Sequence, residues 1–254
     1  MVMTAANARF DGAILAAGAG MRLRPATDGI PKPLVEIDGV SMLERQAIAL
    51  LAAGAGKVTA VINSETAHLL DRPRAAALPI HIVVRDTASS MESLLTLGEV
   101  LEKASAPEPR LTLFATVDTV VPQAELNRFA DAAIDAISHP IAGSFDGVLG
   151  VVRWRGDKRP LFATVAADGL ITALGDDTAD LVTAGVYMLS HRIFDLAPIA
   201  RACGLDALRR FLVLAIESGR RLSAIELRDV IDIDEGGDLA DARALLSASK
   251  ERTA

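Results

Sequence analysis

Residues 15–39 read LAAGAGMRLRPATDGIPKPLVEIDG, and the reading of the whole chain turns on this stretch. It continues an apolar run, GAILAAG at 12–18, with the composition of a buried strand. The strand opens into Gly18-Ala19-Gly20, where the lack of side chains lets backbone N–H groups approach an anion closely. Arg22 then adds a guanidinium that stays charged at any relevant pH. Pro31 and Pro33 fix the backbone on either side of Lys32, so its ammonium returns toward the loop on a stiff path. Backbone amides and two cations converging after a strand suit a triphosphate, whose transfer chemistry needs positioning and charge neutralisation.

Two familiar phosphate motifs fit less well. Gly18 and Gly20 begin a dinucleotide fingerprint and Asp38 stands near the distance of a ribose-binding acid. Leu23 occupies the third glycine position, however, and prolines interrupt the helix such a loop must open. Residues 54–58, GAGKV, look like the end of a P-loop but have Leu51 in place of the first glycine and Val58 in place of the magnesium-binding hydroxyl. Gly54 and Gly56 read more simply as a helix end turning into a strand.

Outward from this stretch, short apolar runs alternate with helical patterns, as in βαβ units. Ser41 and Glu44 have capping-box spacing at the head of a helix over 41–54. Strands are expected at 58–62, 80–84 and 111–118. Helices are expected near 66–70 and over 91–103, 123–137, 206–219 and 237–250. After His139-Pro140 the chain becomes richer in strand patterns, with Asp168-Gly169 as a hairpin turn. No repeat or linker divides the 254 residues, so one domain is expected: a loose lead-in over 1–10, a nucleotide-binding half over 11–138 and an acceptor-binding half over 139–254.

Composition narrows the classes. The net charge is −7 and the pI about 5.2, which speaks against a nucleic-acid surface, and aromatics at 4% leave little for base stacking. Mean hydropathy is +0.33, but no apolar run approaches a membrane span. The opening MVMTAANARFDG lacks the features of a secretory signal, so a cytoplasmic protein is expected. Cys203, the single cysteine, reads as a packing thiol, and the four histidines show no ligand spacing.

The ordered pattern from Leu15 through Gly18-Ala19-Gly20-Met21-Arg22-Leu23-Arg24-Pro25-Ala26-Thr27 to Pro31-Lys32-Pro33-Leu34 closely resembles the signature of nucleotidyltransferases that activate sugar phosphates, phosphocholine or inositol phosphate. Met21 departs from it, since many members carry Thr or Ser there. The resemblance implies a three-layer α/β fold with a mostly parallel, twisted sheet of Rossmann-like nucleotidyltransferase type and a β-richer second half. It implies Arg22 and Lys32 as catalytic cations. Leu15, Ala16, Ala17, Gly18, Ala19, Gly20 and Met21 would form the nucleotide-binding backbone.

An acceptor phosphate would attack the α-phosphorus of a nucleoside triphosphate, which arrives with Mg²⁺. Asp118, at the end of the apolar strand LTLFATVD, stands where ligands meet the carboxyl ends of sheet strands. The family's metal-binding aspartate is implied there, although Val117 precedes it rather than glycine. VIDIDEGGDL at 230–239 is similar to the family's terminal acidic stretch, implying Asp232 as the second metal ligand. On a strand Asp232 and Asp234 share one face, so either could meet the metal; the resemblance favours Asp232, with Asp234 as its supporter or a turn former, and Asp238 reads as a helix-start residue.

Ser89 and Ser90 fall where members contact the nucleobase. Their context is closer to CTP-using members, so a pyrimidine nucleotide is favoured; both serines also suit a helix cap. VTAGVYMLS at 182–190 resembles the segment lining the acceptor side, with Thr183 in place of the usual Asn and Gly185 retained. Trp154, Lys158 and Arg159 lie in a turn-rich stretch that suits either the acceptor's head group or an exposed hairpin. Arg24 reads as solvated or locally paired. A regulatory protein that binds a nucleotide without transferring it is the alternative on the same fold, and a dehydrogenase is a more distant one.

Overall fold

The computed structural model describes residues 9–70, 80–103, 111–138, 145–156 and 160–251. Its backbone is a nine-stranded sheet. At the centre β1 (Phe10–Ala16) lies parallel to both β4 (Ala55–Ile62) and β6 (Leu111–Thr116), and β5 (Ile80–Val84) extends the parallel run beyond β4. Beyond β6 the pairing turns antiparallel at β11 (Leu181–Ser190), which also pairs with β8 (Gly147–Arg153) and β9 (Phe162–Val165). β10 (Ile171–Leu174) closes a hairpin on β9 through Gly169, and β12 (Leu222–Glu226) pairs in parallel with β8. Four short strands stand outside this frame in two antiparallel pairs: β2 (Glu36–Ile37) with β3 (Val40–Ser41), and β7 (Thr119–Val120) with β13 (Ile231–Asp232).

All seven residues of β1 are buried, and the two-residue period sends its side chains to opposite sides. Phe10, Ile14 and Ala16 join one core, while Ala13, Leu15 and Ala17 join the other. A strand buried on both faces needs helices on both faces. On the first side lie α1 (Met42–Ala52), α4 (Gln123–Ser138) and α7 (Asp238–Glu251), which bury Leu50, Phe129 and Ala242. On the second lie α3 (Ser90–Lys103) and α6 (Leu208–Glu217). In α3, Met91, Leu94, Leu95 and Leu101 recur at helical spacing on the buried face, opposite Phe211 and Leu212 of α6. The short helices α2 (Ser64–Leu69) and α5 (Ala197–Ala202) complete the set of the described residues. This is the three-layer α/β class expected from the sequence, with its parallel strands concentrated in the first half.

The capping box at α1 forms as expected. Ser41 Oγ accepts from the Glu44 N–H, while Glu44 Oε2 accepts from the Ser41 N–H at 2.9 Å, all of it buried. Ser41→Ala should therefore lower stability by about 1–2 kcal/mol. The check is a urea titration, in which the midpoint should fall with an unchanged slope.

Two expectations need correction or completion. Cys203 is exposed: it caps the short helix α5 at its C-terminal end instead of packing inside. The strand expected over 111–118 stops at Thr116, because Val117 and Asp118 turn the chain into β7. His139, Pro140, Lys158 and Arg159 lie outside the described residues. Among the described residues, no helix is long and apolar enough to cross a membrane.

Candidate active site

The loop after β1 leaves the sheet at its carboxyl edge, and its own bonds fix its shape. Leu23, fully buried, donates its N–H to the Gly20 carbonyl, and a 3₁₀ turn follows over Arg24–Ala26. Asn63 Nδ2 donates to the Ala17 carbonyl at 3.2 Å, while Arg24 Nε donates to the Ala19 carbonyl at 3.1 Å. The loop's carbonyls are thus held by protein donors. Among the described residues the amides of Gly18, Ala19 and Gly20 find no acceptor, as an anion-binding turn requires. Arg24 also makes a two-pronged pair with Glu65, the local pairing expected of it, whereas Met21 at the tip is 67% exposed.

Lys32 begins a second 3₁₀ turn, Lys32–Leu34, closed by the Leu34 N–H on the Pro31 carbonyl. Gly20 makes room for it: with φ +59, a β-carbon at Gly20 would stand 2.8 Å from Lys32 Cβ. The side chain is buried. Its Nζ lies 2.8 Å from Asp118 Oδ2 and 3.1 Å from Asp234 Oδ1. Arg22 meets the other oxygen of Asp234 at 2.9 Å. Burial works to lower the pKa of Lys32, but the charges and hydrogen bonds of Asp118 and Asp234 outweigh it and hold the ammonium above the ordinary lysine value. Four side chains that are far apart in the sequence, Arg22, Lys32, Asp118 and Asp234, therefore form one charge cluster.

The aspartates owe their positions to the two-stranded β7–β13 pair. Asp118 precedes β7, and its carbonyl accepts from the Ile233 N–H at 3.0 Å. Asp232 is paired opposite Thr119, whose hydroxyl donates to Asp232 Oδ1 at 2.6 Å. Ile233 is fully buried, so Asp232 and Asp234 share the face expected from strand alternation. Behind them Thr116 and Thr119 share a hydroxyl contact of 2.7 Å, and Gln46 of α1 donates to the carbonyls of both residues. Asp238, at the start of α7, accepts from the Asp234 and Glu235 amides, the helix-start role expected for it.

Arg22, Asp118, Asp232 and Asp234 open onto a cleft of about 420 Å³. Its opposite lining comes from β11, with Thr183, Gly185 and Tyr187, and from Pro160 and Leu161. Gly185 has φ +69 and touches Thr116 and Thr119 so closely that only glycine fits. Tyr187 is buried and its hydroxyl bonds Thr183; burial, first of all, raises its pKa, so it stays a neutral phenol. Ser89 and Ser90 do not line this cleft. Ser89 Oγ accepts from the Glu92 N–H as the α3 cap, and Ser90 Oγ accepts from the Leu208 N–H of α6 at 3.0 Å.

The sequence did not single out Thr119, Gln46 or Arg209, a further residue of the cleft lining. The first two act through contacts with residues 113 and 73 positions away, which no local pattern reveals. Arg209 and Arg210 fall within the helix expected over 206–219, where no local pattern sets either apart.

An α/β sheet with a parallel central run, whose first strand opens into a glycine loop and whose strand ends gather cations and carboxylates, defines a nucleotide-handling α/β protein. The chain belongs to the MobA-like NTP transferase domain family, whose model matches residues 12–178. It is 29% identical over 99 residues to 2-aminoethylphosphonate cytidylyltransferase of Lancefieldella rimae; that match takes in 36% of this chain and 38% of the relative. Thus the matched stretch spans well under half of that relative's length. The fold is similar to that of the inositol-1-phosphate CTP transferase from T. maritima, with a TM-score of 0.76 at 20% identity, covering 96% of this chain and 97% of the other. It is also similar to CTP:phosphocholine cytidylyltransferase from Streptococcus pneumoniae, with a TM-score of 0.69 at 18% identity, covering 94% and 99%.

Proposed function

We propose that the protein transfers a nucleotidyl group from a nucleoside triphosphate, a pyrimidine one by preference, to a small phosphorylated or phosphonylated acceptor and releases pyrophosphate. The observation that carries this reading is the convergence of Lys32 Nζ and the Arg22 guanidinium on the aspartates at the mouth of one cleft. In the reaction an acceptor oxygen forms a bond to the α-phosphorus while the bond from that phosphorus to the bridging α–β oxygen breaks, and the electron pair leaves with pyrophosphate. Such an acceptor is anionic near neutrality, so no residue has to remove a proton from it.

The loop amides at Gly18–Gly20 hold the phosphates, and Leu15, Ala16, Ala17 and Met21 complete the backbone around the nucleotide. Arg22 and Lys32 leave Asp234 for the phosphoryl oxygens, where they oppose the charge that builds up in the transition state. The first half of the chain takes the nucleotide. Thr183, Gly185 and the rest of β11 meet the acceptor in the second half.

The chemistry of two carboxylates suits Mg²⁺: Asp118 and Asp232 offer hard oxygens to one cleft, and one or two such groups plus substrate phosphates suffice for this ion, although among the described residues no three His, Cys, Asp or Glu side chains gather into a metal-binding group. The seat of Lys32 between Asp118 and Asp234 supports the reading, because the same negative charge attracts a cation. Asp118 and Asp232 would hold the ion, with Asp234 supporting. Bound there, it supplies charge neutralisation on the triphosphate.

The test is a pyrophosphate-release screen of four nucleoside triphosphates against sugar 1-phosphates, phosphocholine, inositol phosphate and 2-aminoethylphosphonate, with magnesium and with chelator. Release is expected with a pyrimidine triphosphate and one acceptor, and it should stop with chelator. Binding of a triphosphate with no release under any pairing would instead support a regulatory nucleotide-binding role.

A further inference from the structure

One cation of the cleft is not used by the charge cluster. Arg209, the second residue of α6, is exposed and lines the cleft with Thr183, Gly185 and Tyr187. Among the described residues its guanidinium has no ion-pair or hydrogen-bond partner, although carboxylates line the same cleft. Arg22 and Lys32 are both committed to Asp234, and Lys32 to Asp118 as well. Arg210 next door pairs with Asp206 at 3.3 Å and is not part of the lining.

Helix stability does not explain an arginine here. Positive charge in the first turn opposes the helix dipole, and this turn holds no acidic residue to offset it. The turn is nevertheless held firmly, because the Leu208 N–H donates to Ser90 Oγ and Phe211 is fully buried against the sheet. A guanidinium on a well-anchored turn at the cleft wall, with no partner among the described residues, is suited to a tetrahedral oxyanion, to which it can donate two parallel hydrogen bonds.

We propose that Arg209 binds the anionic group of the acceptor, a phosphate or phosphonate oxyanion, and that Ser90 positions it by holding the start of α6. The proposal rests on the reading of this cleft as the acceptor site and adds the residue that recognises the acceptor. Loss of Arg209 therefore weakens acceptor binding and leaves nucleotide binding intact.

The experiment is titration calorimetry of the full chain with methyl phosphate and, separately, methylphosphonate, in the presence of magnesium and α,β-methylene CTP to fill the nucleotide site. Wild type should bind at least one probe, and the stronger of the two tells phosphate from phosphonate. Arg209→Ala should lose at least about tenfold in affinity, Arg209→Lys less, and Arg210→Ala should match wild type. Wild-type affinity in Arg209→Ala, an equal loss in Arg210→Ala, or no binding of either probe to wild type overturns the proposal. Failure of the nucleotide analogue to bind counts against the proposed transfer reaction instead, and the same titrations without analogue still decide the role of Arg209.

Discussion

Lys32→Ala should lower the rate of nucleotidyl transfer by about 10²–10³-fold, the size of effect seen when one positioned donor to a transition-state oxyanion is removed. The fold should survive it. Lys32 meets Asp118 and Asp234, whose side chains are 27% and 40% exposed, so water can take over much of the charge left behind. A stability change of about 1 kcal/mol, visible as a small shift in the urea midpoint, is the expected scale for such partly solvated pairs. Loss of activity in step with loss of fold would mean that Lys32 holds the loop together and takes no part in transfer.

The same residue fixes a pH dependence. Its folded pKa is raised, so the stability it contributes is fully present below the unfolded lysine value and is lost only as pH climbs through the higher folded value. Between about pH 7 and 9 the ammonium stays charged, and the rate profile should show no alkaline fall that Lys32→Arg abolishes.

Gly185→Ala should be the most damaging single methyl group in the site. Its backbone has φ +69, which costs a non-glycine residue about 1–2 kcal/mol. The added carbon would overlap Thr119 Oγ1 and stand 2.7 Å from Thr116 Oγ1. Overpacking of this kind adds about 1–3 kcal/mol, for a total of about 2–5 kcal/mol. In a chain of this size that lowers the melting temperature by roughly 4–20 °C. Relief of the clash must move Thr119, whose hydroxyl holds Asp232, so activity should fall even below the melting transition. Gly175→Ala also falls at a positive φ but has open space around it, and serves as the comparison. If Gly185→Ala were no worse than Gly175→Ala, close packing around Thr119 would have no part in the site.

Much of this site could be read from the chain alone because its signals are local. The glycine loop, the Pro-Lys-Pro turn and the capping box each act over a few residues, and Asp118 stands where an apolar strand ends. The Asp168-Gly169 hairpin is equally local, and the structure has it. What escaped the sequence depends on distant partners. β12 is a strand only because β8, some seventy residues earlier, offers an edge to Leu222–Glu226. The helix Ala197–Ala202 hides behind Pro198, which reads as a break but is tolerated in a first turn. Cys203 is outside because that helix ends on the surface, and composition alone points a cysteine inward. Arg209 needed the tertiary fold to bring α6 beside β11 before it could be seen in the cleft.

Transfer in this cleft depends on cations from the first loop and aspartates held by the β7–β13 pair acting on one nucleotide. The most direct measurement is electron–nuclear double resonance on protein with ¹³C-carboxyl-labelled aspartate, Mn²⁺ in place of magnesium and CTP bound. Aspartate carbon couplings should appear beside the phosphorus couplings of the nucleotide in the wild type and vanish in the double variant Asp118→Asn, Asp232→Asn, while Lys32→Ala keeps them. Manganese that couples to the bound nucleotide and to no aspartate carbon in the wild type, or aspartate couplings unchanged in the double variant, would contradict a shared site.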